Sequence, residues 1–360
     1  MNKVSANYLV QAWRQRYAPD FSTLSLGKKP LNYYQLIEMT SRQGREKTVK
    51  EIQRLIDFKC DYAEMQSNIL FSYIPNVVKL SDSWQLATYI KLAYDKALSI
   101  YQQQQPISLP PSLSTVEKKL LENIDVTSDL FKQKLMPTLI LPTVEILSRE
   151  LQPILLQLRK QYKSANDQRL IGFVSTQFHF STAFVLNQVR LSEQLLVSPY
   201  FKFVEEQVCI PWQRVCAAAV KYAPNSAPLA IVQQLLPASR EIAFRVHQKA
   251  NQIYPTHRSR RGKLDHPGVK ASSLRDIEMF QAYLWLCFLE DSMTAVQEEL
   301  LPLCAMVFPT IDVKWELVEQ IPLLLVNEFQ SRLTLQQMNM LQPYTQAMQD
   351  LFSQAELKAN

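Results

Sequence analysis

Glycine is almost absent from this chain, with five in 360 residues. Tight turns, β-bulges and phosphate-cradling loops rely on glycine, because it alone reaches positive φ without steric cost and lets another group approach the backbone. At this scarcity there is little raw material for a nucleotide-binding loop, a dinucleotide fold, a nucleophile elbow or a sandwich of short hairpins. None of GxxxxGK[ST], GxGxxG or GxSxG occurs in the sequence. Helices packed on helices are what remains.

Twenty prolines are compatible with helices if they stand at first turns or in joints, where no amide donor is needed. Apolar periodicity supplies the helices between them. Tyr8, Leu9 and Trp13 share one face of a short amphipathic segment that breaks at Pro19. A long helix from Arg45 is marked by Val49, Ile52, Leu55, Ile56, Tyr62, Met65 and Ile69 and stops at Pro75. Another from Asp82 carries Leu86, Ile90, Ala93, Tyr94, Ala97 and Tyr101, and two antiparallel helices are the simplest arrangement.

Residues 102–114, QQQQPISLPPSLS, have neither helical nor strand periodicity and read as a linker. It divides a helical part, 1–101, from a larger one, 115–360, unless the two form one continuous array. Ser114 with Glu117 reads as a capping box, followed by Val116, Leu120, Leu121, Ile124 and Phe131 on an inner side. Pro137 and Pro142 then predict a kink. The spacing from Leu170 to Leu196 predicts one long helix closed at Ser198, with Pro199 opening the next, which continues through Trp212 to Tyr222. Further on, Ser273 with Asp276 and then Asp312 are read as caps, and a last helix runs from Thr334. The expected fold is all-α, an irregular array or bundle of about ten to twelve helices with no substantial β-sheet.

Cys60, Cys209, Cys216, Cys287 and Cys304 are odd in number and form no CxxC, which points to a reducing compartment. Cys209 and Cys216, placed on one face of one helix, would lie about 10 Å apart, too far for a disulfide. The N-terminal stretch lacks a signal-peptide pattern. The longest apolar run, Tyr283 to Leu289, is far short of the ~20 residues of a membrane span. A cytoplasmic protein without a transmembrane segment is expected.

Ionisable residues offer no recognised catalytic pattern. His179 lies in FHF within an apolar helix and reads as a core histidine, as does His247. His257 and His266 flank a polar loop and read as solvated. No HExxH and no paired ExxH occurs. Asp57, Asp61 and Glu64, like Glu298 and Glu299, read as solvated faces. No catalytic residue, metal or cofactor is therefore assigned. The net charge of +6 is spread thinly except at Arg258, Arg260, Arg261, Lys263, Lys270 and Arg275, in and just beyond an exposed loop spanning Tyr254 to Ser273. Guanidinium forks on a loop suit carboxylate or phosphate partners. The leading expectation is a non-enzymatic interaction or regulatory protein that binds an acidic protein through this loop. The alternative is a nucleic-acid-binding regulator using the same residues. A third reading is a cofactor-binding or enzymatic protein with a helical cavity near His179 and His247. Among the tryptophans, Trp13 is the one read as a docking residue.

Overall fold

A computed structural model describes residues 3–17, 31–74, 80–141, 144–165 and 167–359. The breaks expected at Pro19, Pro75 and Pro142 lie outside these residues. Within them the chain is an all-helical array, and its strands amount to one hairpin of two residues per strand and an isolated bridge between Leu31 and Ile124.

The N-terminal half is organised by α3 (Arg42–Leu70) and α4 (Leu80–Gln102). They run antiparallel: Arg45 donates to the carbonyls of Tyr101 and Gln105 at one end, while Ser83 donates to Glu64 at the other. Both pack against α7 (Leu170–Leu186), and α4 also packs against α6 (Val144–Lys163) and α8 (Leu191–Cys209). Aromatic rings join these helices, with Phe71 against Phe173 and Tyr94 between Phe178 and Phe201. Residues 103–113 carry no helix but are fastened, because the Ile107 amide donates to Thr40 Oγ1 and Leu113 is buried. The capping box opens α5 (Thr115–Lys119), where Ser114 and Glu117 exchange backbone-to-side-chain bonds.

The C-terminal half is built on α11 (Ser239–Ile253) and α12 (Pro267–Glu290), which pack together. Around them stand α9 (Trp212–Ala219), α10 (Ala227–Leu235), α13 (Leu301–Thr310), α14 (Trp315–Gln330) and α15 (Leu335–Ala359). The two remaining helices, α1 (Lys3–Gln15) and α2 (Tyr33–Met39), sit against α9 and α3 respectively. The α7–α13 contact joins the halves, and it depends on Gly172. A Cβ there would lie 2.9 Å from Met306 Cβ and 3.3 Å from the Leu303 carbonyl oxygen, closer than packed atoms tolerate. Gly172→Ala is expected to cost about 1–3 kcal/mol by overpacking, measured as a lower denaturation midpoint in urea; an unchanged midpoint would show that the two helices separate freely.

Several joints differ from the sequence reading. The stretch read as one helix to Leu196 is two, because Glu193 turns back to accept the Arg190 amide and starts α8 afresh. Pro199 is consequently inside α8, as Pro153, Pro309, Pro322 and Pro343 are inside their helices. Each interior proline forgoes one backbone bond at a cost of about 3 kcal/mol. The joint instead falls at Ile210–Pro211, so Cys209 and Cys216 belong to different helices. Ser273 is not a cap, since α12 already begins at Pro267. Asp312 is not one either: it has φ of 58°, and the next helix starts at Trp315. Single π-turns at Phe131–Leu135 and Val296–Leu300 directly precede Pro137 and Pro302, absorbing the register change where a proline lacks its donor.

The inner face of α3 also departs from expectation. Val49, Ile52 and Ile56 are buried, but the buried row continues through Cys60, Ala63 and Ser67. Those small side chains let α4 and α7 approach closely. Tyr62, Met65 and Ile69 fall on the opposite side, where with Phe58 they form an exposed stripe. Val116 and Leu120 are likewise exposed, and Trp84 is the exposed tryptophan. Trp13 is buried against Phe203 and donates to the Tyr17 hydroxyl, so it is not a docking residue.

Candidate functional site

The segment read as an exposed loop contains a fastened hairpin. Strands β1 (Arg258–Ser259) and β2 (Gly262–Lys263) pair antiparallel, with Ser259 opposite Gly262. Gly262 has φ of +130°, a conformation that side-chain-bearing residues rarely adopt. The Arg260 amide donates to the Ile311 carbonyl, and its guanidinium donates to Asp312 at 3.2 Å. Leu264 is buried beneath the hairpin, and the Tyr254 hydroxyl donates to the Glu316 carbonyl. Because α12 starts at Pro267, Lys270 and Arg275 lie on that helix and not on the loop.

The six basic residues therefore do not form one patch. Arg258 and Lys263 are exposed and have no carboxylate partner among the described residues. Arg260 is paired with Asp312, and Lys270 sits 4.7 Å above the Phe244 ring. Arg275 is turned inward, donating to Glu205 at 3.2 Å and to Asp276 at 3.0 Å. Arg261 reaches His179, with Nη2 3.4 Å from Nε2.

Behind the hairpin lies a cavity of about 320 Å³, walled by α7, α11, α12, α13 and α14. That is at the small end of pockets for small molecules, roughly 300–1,000 Å³. Most of the wall is apolar, from residues such as Phe180, Leu264, Ile277, Leu303, Val307 and Val318. Onto it converge three of the four histidines, His179, His247 and His257, and three of the six basic residues, Arg260, Arg261 and Arg275. His266 is exposed at the start of α12. His179 is partly exposed at the cavity, and His257, read as solvated, is buried.

One polar chain runs along the wall. Arg261 Nη2 lies 3.4 Å from His179 Nε2, and on the other side of the ring Nδ1 lies 3.0 Å from Glu205 Oε1. Glu205 is buried on α8, and burial alone would raise its carboxyl pKa. Its interactions with His179 and Arg275 outweigh burial and hold it down at about 2. His247 and His257 are both pushed below the ordinary imidazole value, first by burial and then by the charges of Lys270 and Lys314 respectively. Both present neutral rings at pH 7. His257 is 7% exposed, and its Nε2 has no hydrogen-bond partner among the described residues. Cys209 also lines the cavity, but its thiol is pushed up to about 12, chiefly by burial, and is no nucleophile at neutral pH.

No protein-family model, curated protein or solved structure matches this chain. Among the described residues no group of three or more histidine, cysteine or acidic side chains is placed to hold a metal ion, and no helix is long and apolar enough to cross a membrane. All five cysteines are buried and unpaired.

The sequence reading missed Glu205, Glu206 and Glu299. The signal was available for the first two: FKFVEEQVC places adjacent carboxylates in an apolar segment. Glu205 faces the cavity network, while Glu206 faces Arg16. Glu299 was read as solvated, yet it is 3% exposed and gathers Arg159, Arg214 and Lys163. It borders a second cavity of about 220 Å³, whose guanidiniums are already committed to it.

Proposed function

We propose that this chain is a small-molecule-binding protein, and that the cavity behind the arginine-rich hairpin is its ligand site. A single observation carries the reading: an apolar chamber walled by five helices and the hairpin, with a few histidines and arginines on its lining. Binding pockets have this composition, since an apolar wall supplies affinity and a few fixed polar groups supply orientation. Of the three functions the sequence left open, the helical cavity near His179 and His247 gains the most support. The reading of the hairpin as a grip for an acidic protein or for nucleic acid loses support, because Arg260 and Arg275 already face carboxylates and Lys270 covers a ring. No chemical step is assigned, so the role proposed is binding or sensing. A reducing, cytoplasmic setting belongs to the same proposal, supported by five buried unpaired thiols.

Ala250→Phe tests this directly. Ala250 is a buried α11 residue lining the cavity, and a phenyl group there occupies space a ligand would use. With n-octanol as an apolar probe, the wild type is expected to bind by calorimetry and the variant to show no binding. The variant is expected to be more stable by about 1–2 kcal/mol, the sign for filling an apolar void. Absence of octanol binding to the wild type, or equal binding to both proteins, would overturn the proposal.

A further inference from the structure

We infer that the ligand of this cavity is a small amphipathic carboxylate whose acid group is seated on Arg261. The inference rests on the cavity being a binding site, and it goes further by naming the chemistry recognised there. Apolar walls require an apolar body. A volume of about 320 Å³, at the small end of ligand pockets, suits a small body.

The charges on the wall select the head group. The lining contains three guanidiniums and one carboxylate, that of Asp276. Two of the guanidiniums already have carboxylate partners: Arg260 has Asp312, and Arg275 has Asp276 and Glu205. Arg261 has no carboxylate within salt-bridge distance among the described residues. Its guanidinium lies 3.4 Å from the His179 imidazole. That is long for a charge-assisted bond, which settles at about 2.7–2.9 Å. A carboxylate entering with its tail in the cavity offers this fork two short bonds in place of one long one. Arg261 can leave His179 at little cost, since the ring keeps its bond to Glu205. His257, with its buried and unpartnered Nε2, adds a neutral polar group to the same lining. An ammonium head group would meet donors at Arg261 and gain nothing.

Three eight-carbon probes separate the possibilities: octanoate, n-octanol and octylammonium, titrated calorimetrically into the full chain at pH 7. Octanoate is expected to bind at least about tenfold more tightly than octanol, and octylammonium more weakly than both. Arg261→Gln is expected to bring octanoate down to the affinity of octanol and to leave octanol unchanged. Arg261 is exposed, so the variant should keep the wild-type melting temperature. Equal affinities for octanoate and octanol in the wild type overturn the acid-group assignment while leaving the cavity as a binding site. Octanoate binding that is tight but unaffected by Arg261→Gln overturns the role of Arg261. If no probe binds, both readings fall together.

Discussion

Arg16→Ala is expected to destabilise the protein by about 3–5 kcal/mol, the range for removing one partner of a buried ion pair. Arg16 lies just beyond α1 and points into the interior, where its side chain is 10% exposed. It donates to Glu206 of α8 and at 2.8 Å to Glu278 of α12, and its guanidinium stacks over Trp212 of α9. One side chain thus ties three helices together. Glu206 is 1% exposed, so loss of the arginine leaves a carboxylate that water cannot reach. Lys202 Nζ, 3.9 Å from Glu206, gives partial relief and favours the lower end of the range. Urea denaturation of the variant at neutral pH reads the effect. Arg16→Met, which retains the stem over Trp212 but removes the charge, should be nearly as damaging. If Arg16→Met is close to wild type, packing holds this junction and the ion pairs contribute little.

That junction shows what periodicity could and could not reveal. Helical spacing made the fold class legible because it depends on side chains along one segment, as with Leu86, Ile90, Ala93 and Ala97 of α4, all buried. It also located the Ser114–Glu117 box, a purely local device. Spacing could not tell which apolar row of α3 faces inward. Two rows were available, and the choice went to the one whose small residues let α4 and α7 come close. Proline was equally ambiguous, since Pro267 opens a helix while Pro199 lies within one. Local chemistry is the same in both cases, and tertiary packing decides.

The candidate site was legible in parts but not as a whole. His179 and Arg261 are 82 positions apart and meet only because α7 and the hairpin share a wall of the cavity. The histidines and arginines were visible as residues worth weighing, whereas the apolar lining was indistinguishable from core. A cavity is core with something missing, and no sequence pattern marks an absence. Arg275 illustrates the other limit: it was grouped with its neighbours by proximity in the chain, yet it turns away from them to meet Glu205.

Glu205→Gln should remove a large part of the acid sensitivity of the fold. The Glu205 pKa is about 2 in the folded protein against 4.5 for the free side chain, so the folded state favours the ionised form. A depressed carboxyl contributes stability that is fully present above the unfolded value and is lost as pH falls toward the folded one. The window is therefore from about pH 4.5 down to about pH 2, and the full contribution is of order 3 kcal/mol at neutral pH. Glu205 is buried, so solvent screening reduces this little. Wild-type stability, followed by urea midpoints between pH 7 and pH 2, should fall steeply through that window. Glu205→Gln should start lower at pH 7, because Arg275 retains only Asp276, and should then change less on acidification. Parallel curves for the two proteins would mean that the carboxylates paired with Arg16 and Arg214 govern acid unfolding. In that case the His179–Glu205–Arg275 chain would serve to orient the cavity wall and not to hold the fold.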